Sequence, residues 1–451
     1  MKVNLIAPGW SPKNIWGQIK FKFPPLSLTT LATFTPEDVE VVITDENVDE
    51  INFEDGADLV AITTMTPQAN RAYQIADEFR RRKVKIILGG FHPSTMPEEA
   101  LSHADAIVVG EGEGLWGRLI EDARNLRLKR VYRDRVPLDL SKLKPPRRDL
   151  IRGKSYLFTN TIQVTRGCPL RCEFCSVTSL FGRSYRTRPI QAVIDELMEL
   201  KRESIFLFIV DDNLIGNKVY AERLFGAMEP LKFKWASHAP LHLVEDESLM
   251  KLISQSGCFA LFVGFETLSR ENLSLMGKPS NMKIPPRDAV KKFHDHGIGV
   301  LASFILGYDH DTKDSFKRIL DFCNESRIDG AIFPILTPYP GTPLRKRLER
   351  EGRILTDDWD MYDMEHVTFR PRGMSVDELK EGYEWLNANL LSWTSILKRI
   401  FKVHRSIQIF GPMNIGFRSA WKRRNNPQPP LPFKHIRLHK HSRLGKDTRK
   451  F

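Results

Sequence analysis

Three of the five cysteines in this 451-residue chain fall within eight positions, at Cys168, Cys172 and Cys175 in "TRGCPLRCEFCS" (165–176). A chain this long with so few cysteines has no disulfide framework, and clustered thiols then point to metal or redox chemistry. The spacing C-x3-C-x2-C offers three ligands, one short of a closed structural zinc site. Cys258 begins an apolar run and Cys323 lies in the helical pattern "DSFKRILDFCNES", so both read as small buried hydrophobes rather than as a fourth ligand. Three thiolates on one loop can instead hold three irons of a [4Fe–4S] cluster. The fourth iron stays open, ready for a molecule that chelates through an amine and a carboxylate.

Such a loop needs a scaffold. Between residues 1 and 125 the runs "KVNLIAP", "EVVITDEN", "DLVAITTMT", "VKIILGG" and "AIVVGEG" are short and apolar and end in turn or polar residues. Helical patterns separate several of them, as in "PQANRAYQIADEFRRRK", where Ala72, Ile75, Ala76 and Phe79 share one face. Strands alternating with helices predict a Rossmann-like open parallel sheet, with ligands at the carboxyl ends of its strands. Gly89, Gly90 and the "VGEGEG" run (109–114) stand where strands should end, which lets the backbone approach a ligand closely.

Residues 126–158, basic and containing Pro137, Pro145 and Pro146, read as a linker. A second alternation occupies 159–350, with strand candidates "TIQVTRG", "SIFLFIVDDN", "KWASHA", "CFALFVGFET", "GVLASFILGY" and "AIFPILTPYP". Six βα units predict a partial (β/α)6 barrel whose active site lies at the strands' carboxyl ends, where the cysteine loop follows the first strand. Residues 351–451 read as a mainly helical extension with a basic tail. The α/β class therefore covers both halves.

A composition 41% hydrophobic and 27% charged is that of a globular chain long enough for two or three cores. No apolar run approaches the ~20 residues of a membrane-spanning helix. The opening "MKVNLIAPGW" lacks the apolar core and cleavage site of a secretory signal, so a cytoplasmic protein is expected. Residues 401–451 carry 13 Lys or Arg against one acid, which accounts for the whole net charge of +12. That tail suits an acidic partner (a phosphate-bearing substrate, nucleic acid or a lipid surface), or it is a solvated end. "WTSILKRIFKVHRSIQIF" (393–410) suits either an interfacial helix, giving peripheral membrane contact, or an amphipathic helix docked on the barrel.

The cysteine spacing, with Phe174 before the last thiol, resembles the signature of the radical S-adenosylmethionine (SAM) superfamily. Gly264 and Glu266 in "VGFET", Gly307 in "FILGYDHDT" and the segment "LTPYPGTPL" (336–344) resemble that family's turns after the fourth, fifth and sixth barrel strands. The resemblance implies that the thiolates hold the cluster and that SAM fills the open iron. One electron would then split SAM to a 5′-deoxyadenosyl radical that abstracts an unactivated hydrogen, with flavodoxin or ferredoxin as the electron donor. Phe174, Gly264, Glu266, Gly307 and Asn213 are the SAM contacts it implies. Asp211, Asp212 and Glu266 are catalytic candidates, although Asp211-Asp212-Asn213 also reads as an Asx-type turn with a helix N-cap. Ser237 and His238 are weaker candidates.

The first 125 residues resemble the cobalamin-binding domain of class B radical SAM enzymes, through "ITTMTPQ" (62–68), "ILGGFHPSTMPEEAL" (87–101) and "AIVVGEGE" (106–113). Thr63, Thr64, Gly89, Gly90, Gly110 and Glu111 are the cobalamin contacts this implies. The D-x-H-x-x-G motif that supplies a lower-face histidine in many cobalamin proteins is replaced by "APGWSPKNIWG", and His92 in "GFHPS" is a distant substitute. The pairing of cofactors implies a C-methyltransferase acting on an unactivated carbon. The region from about Ser375 resembles the appended helical domain of some of these proteins that act on lipid-like substrates, which implies a hydrophobic or anionic small molecule. Ring formation or another carbon-skeleton rearrangement is the alternative. A tRNA methylthiotransferase would carry further cluster cysteines near its start, and residues 1–167 have none. An iron–sulfur protein without turnover would not need the SAM-like segments.

Overall fold

The computed structural model describes residues 1–20, 22–134, 136–156, 160–400 and 407–425. The first half is a six-stranded parallel sheet in the order β2-β1-β3-β4-β5-β6, built from β1 (Lys2–Ala7), β2 (Glu40–Asp45), β3 (Leu59–Thr63), β4 (Lys85–Gly89), β5 (Ala106–Val109) and β6 (Val131–Arg133). Its central strands are apolar on both faces because helices cover both: Val3, Leu5 and Leu59 face one core, and Ile6, Val60 and Ile62 the other. Helix Ala69–Arg81 buries Ala72, Ile75, Ala76 and Phe79, the face its periodicity predicts. The edge strand β6 comes from the segment read as linker. Its three residues pair with Ile107–Val109, and only Tyr132 is buried.

The second half is a six-stranded parallel sheet in the order β14-β13-β12-β11-β10-β7. Its strands are β7 (Thr161–Ile162), β10 (Phe206–Ile209), β11 (Lys234–Pro240), β12 (Cys258–Glu266), β13 (Gly299–Phe304) and β14 (Gly330–Ile332). Each strand lies beside its neighbour in sequence, as in a barrel wall left open between its first and last strands. "TIQVTRG" is not one strand. After Ile162 the chain leaves the sheet, and β8 (Thr165–Arg166) pairs antiparallel with β9 (Arg186–Thr187). The cause is Asp211, which draws the amides of Val164 and Thr165 onto its carboxylate (2.8 and 2.7 Å).

Beyond the barrel, helices Val376–Leu390, Trp393–Ile400 and Ile407–Arg423 pack against it. Helix Trp393–Ile400 docks through Ile396, Arg399 and Ile400 and leaves Trp393 and Leu397 exposed. Buried Arg399 donates to the carbonyls of Ile328 (3.1 Å) and Leu390 (3.1 Å). Most of the basic tail lies outside the described residues. Among those residues no helix is long and apolar enough to cross a membrane. Ahead of these helices, Trp359 and Tyr362 insert into a core of the first sheet, which ties the two halves together.

Two glycines test this packing. A Cβ at Gly382 would stand 2.1 Å from the Phe316 ring, whereas one at Gly226 meets nothing within 4 Å. Gly382→Val should therefore cost about 1–3 kcal/mol in denaturant unfolding. Gly226→Ala, inside helix Lys218–Met228, should add roughly 0.5–1 kcal/mol.

Candidate functional site

The cysteine loop leaves β8 and enters helix Ser176–Phe181 with Cys175 at its N-cap position. Its one internal backbone bond is Cys175 N to Cys172 O (3.1 Å). The rest of its shape is imposed from outside. Asp211 is fully buried, and it also accepts from the Thr165 hydroxyl (2.5 Å). Asp212 accepts from the Gly167 amide (3.0 Å), and the Asn213 side chain donates to Cys168 Sγ (3.4 Å). Asn213 also accepts from Ile215 N in an Asx turn (3.2 Å), while the helix N-cap is Asn217. Burial pushes the Asp211 carboxyl up to about 7. Asp211–Asn213 thus brace the cysteine loop.

On the other side, Glu173 accepts from the Tyr308 hydroxyl (2.8 Å) and from Arg347 (2.8 and 3.2 Å). Arg347 is shared with Asp309 (2.7 Å). Gly307, at φ +93°, is held by Asp311, whose carboxylate accepts from the amides of Gly307 (2.9 Å) and Tyr308 (3.1 Å). A Cβ at Gly307 would meet Leu379 at 2.6 Å, so this position packs against the helical extension.

Glu266 closes the site. It is a non-glycine residue in the left-handed region (φ +67°), at a register shift between β12 and β13. Strain of this kind persists where surrounding structure enforces it, and it clusters at functional sites. Its carboxylate pairs with Lys278, whose ammonium lies 5.9 Å from the centroid of Phe174. Gly264 leaves room for that pair, since a Cβ there would stand 2.3 Å from Glu266 Oε1. The sequence assigns no role to Lys278, Glu173, Tyr308 or Arg347. The adjacency of Glu173 to Cys172 was the only local signal.

Burial raises the Cys172 thiol to about 12 and raises the Cys175 thiol as well. A thiolate here calls for positive charge, which bound iron supplies. Among the described residues no three His, Cys, Asp or Glu side chains gather as ligands of one ion do. Three thiols on one loop suit a cluster, in which each thiolate binds a separate iron.

The first sheet carries a cavity of about 340 Å³ at the carboxyl ends of β3, β4 and β5. Thr63, Gly89, Gly90, Gly110 and Glu111 line it, with Leu28 and Trp116 among its apolar walls. Gly90 (φ +99°) has no space for a Cβ, which would stand 2.8 Å from Thr64 N. Thr64 is buried and its Oγ1 has no hydrogen-bond partner among the described residues. A cradle of this shape, with an orphaned hydroxyl beside it, fits a nucleotide-like group such as the cobalamin tail.

The far wall belongs to the barrel half: Gln163, Arg166, Val210, and Leu180 and Phe181 from the helix that follows the cysteines. Glu111 is part of the seam rather than a free cavity group. It accepts from Arg166 (2.5 Å), Arg186 (2.8 and 3.0 Å) and the Leu138 amide (2.9 Å). Glu113 takes the other end of Arg166 (2.8 Å). Burial alone would raise the Glu111 carboxyl, but the hydrogen bonds from Arg186 and Arg166 outweigh it and hold it below the usual range.

The described lining contains no histidine. His92 is fully buried on another side, with Nδ1 3.3 Å from Thr66 Oγ1, Nε2 3.3 Å from Glu99 and Trp359 edge-on at 5.0 Å. Ser237 is buried and donates to Ile209 O (2.8 Å). His238 lies on the opposite face of β11, between Phe208 (5.5 Å) and Phe262 (5.2 Å).

Residues 162–323 match the family model described as the radical SAM superfamily, and residues 13–119 match the B12 binding domain. Residues 342–419 match a domain of unknown function. The chain is 31% identical to the bacteriochlorophyllide d C-12(1)-methyltransferase of Chlorobaculum tepidum, over 83% of this chain and 84% of that protein. The chain belongs to the B12-binding radical SAM enzymes. The hopanoid C-2 methylase of Rhodopseudomonas palustris is 29% identical over 74% of this chain and 66% of the relative. In fold, the chain is similar to the radical SAM methyltransferase TsrM from Kitasatospora setae, solved with cobalamin and a [4Fe–4S] cluster (TM-score 0.65, 17% identity, 88% of this chain and 89% of that one). It is also similar to the cobalamin-dependent radical SAM enzyme OxsB (TM-score 0.66, 16% identity, 93% and 72%). The family's cofactors are the [4Fe–4S] cluster, SAM and cobalamin.

Two variants test the seating. Cys172→Ala should abolish the iron chromophore and SAM cleavage. The Glu111→Gln, Glu113→Gln pair, which leaves Arg166 buried without a carboxylate, should cost about 3–5 kcal/mol in thermal unfolding and weaken cobalamin retention on gel filtration.

Proposed function

We propose that the protein is a C-methyltransferase that places a methyl group on an unactivated carbon of a hydrophobic small molecule. One observation carries the reading: Leu180 and Phe181, from the helix that begins at the cysteine loop, line the cavity at the strand ends of the B12-binding sheet. Two cofactors served by one wall act on one substrate. When bound, the cluster supplies an electron to SAM and the cobalamin supplies the methyl group.

The chain's own residues bind, orient and exclude water. Asp211, Asp212 and Glu173 hold the cysteine loop, and Arg166 holds the loop to the first sheet. Phe174 and the Glu266–Lys278 pair form the polar and aromatic floor that receives SAM beside Gly264 and Asn213. A hydrophobic substrate is favoured by Phe208, His238 and Phe262, which pack edge to face across β10–β12 as one aromatic wall. Burial holds the His238 imidazole below its usual range, so it adds no cation there. Exposed Trp393 and Leu397, beside Lys398, favour peripheral membrane contact by a protein that meets such a substrate at a lipid surface. Three loop cysteines given to a cluster, with Cys258 and Cys323 buried in the core, favour a reducing, cytoplasmic compartment.

The stoichiometry of SAM products tests methyl transfer. Each turnover should release one S-adenosylhomocysteine, from recharging the cobalamin, and one 5′-deoxyadenosine, from hydrogen abstraction. Deuterated SAM methyl should appear in the product. Formation of 5′-deoxyadenosine and product with no S-adenosylhomocysteine would instead identify ring formation or rearrangement.

A further inference from the structure

Lys278 is a buried cation with no counterpart in the sequence reading. It follows helix Arg270–Leu275 in "LMGKPSN", and its side chain is 11% exposed. Three features fix it. Its amide donates to Leu273 O (2.9 Å), its carbonyl accepts from Asn281 N (3.1 Å), and the Asn281 side chain donates to Gly264 O (2.9 Å). The neighbouring Gly277 (φ +75°) runs close to the cysteine loop, where a Cβ would stand 2.9 Å from Arg171 O. The Lys278 ammonium therefore sits between Glu266 and the ring of Phe174, the loop residue next to Cys175. Burial opposes its charge, but the paired Glu266 carboxylate keeps it charged and raises it above the ordinary lysine range.

A centre held by three thiolates is net negative, and reduction adds a further negative charge. In a water-poor site, a fixed ammonium favours the reduced form far more than the same charge would in solvent. Glu266 has the opposite sign and the opposite effect. We propose that Lys278 is a positioning residue that sets the reduction potential of the centre held by Cys168, Cys172 and Cys175, while Glu266 fixes it in place and moderates its charge. The step it governs is the transfer of one electron from a low-potential donor protein, of the flavodoxin or ferredoxin class, to the oxidised cluster. No bond forms or breaks and no proton moves. The assignment rests on the cluster and is independent of which group the enzyme transfers.

The test is an anaerobic redox titration of the reconstituted full chain without SAM, followed by electron paramagnetic resonance. Iron and sulfide content is measured first on every variant. Lys278→Met should lower the midpoint by at least 59 mV, a tenfold loss of reduced cluster at a fixed potential. Lys278→Arg, which keeps the charge, should stay within threefold of the unmutated protein. Glu266→Gln should move the midpoint up. A purely structural role would shift neither, or both the same way, and either result overturns the proposal. If Lys278→Met fails to retain iron, Glu266→Gln decides alone: a rise supports the assignment, and an unchanged or lower midpoint overturns it. An unmutated protein that holds no cluster would overturn the cluster reading itself, and the proposal with it.

Discussion

A loop that must present three thiols to one cluster cannot hold its own shape. Between Cys168 and Cys175 the chain makes a single internal backbone bond, so nearly all its order is borrowed. The lenders are buried charges. Asp211 reaches back from the end of β10 to bend the lead-in strand, and Glu173 is gripped by Arg347 and Tyr308 from the far side of the barrel. The deflection of "TIQVTRG" out of the sheet after Ile162 follows from the first of these. Without it the strand would run on and the thiols would point along the sheet rather than across its end.

The same economy joins the two sheets. Arg166, immediately before Gly167 and Cys168, is held by Glu111 in the turn after β5 and by Glu113 at the start of the helix that follows. Buried charge pairs add little net stability over apolar packing, yet they tolerate no slip, since each guanidinium–carboxylate contact has a fixed direction. An apolar seam would let the cavity wall slide past the cysteine loop. A charged one fixes the distance between the B12-binding sheet and the centre it must serve.

Sequence periodicity carried much of this fold because its information is local. Apolar runs and turn residues mark both series of strands, and the thiol spacing marks the cluster. What was illegible is what depends on contacts across long stretches of chain. Arg166 meets Glu111 over a separation of 55 residues, and Arg347 meets Glu173 over 174. Glu111 follows Gly110 in a turn that looks made for a ligand, and nothing local shows that two arginines will claim it. Lys278 reads as an ordinary loop lysine until the left-handed turn at Glu266 brings a carboxylate to it. The strand β6 was hidden in a different way: three residues with one buried side chain carry no periodic signal.

The loop after β1 shows why the missing histidine motif is compatible with the rest. Two of its donors reach the segment that follows the barrel: Ile15 N donates to Glu365 (2.5 Å) and the Trp16 indole to Asp363 O (3.3 Å). Arg423, from the last described helix, donates to Gln18 O (2.8 Å). Where other cobalamin proteins reach inward with an imidazole, this chain binds its own C-terminal region. His92 cannot stand in, because both ring nitrogens already face Thr66 and Glu99 and Trp359 covers it. A loop that serves the clasp between domains and a cavity lined without histidine are therefore two sides of one arrangement.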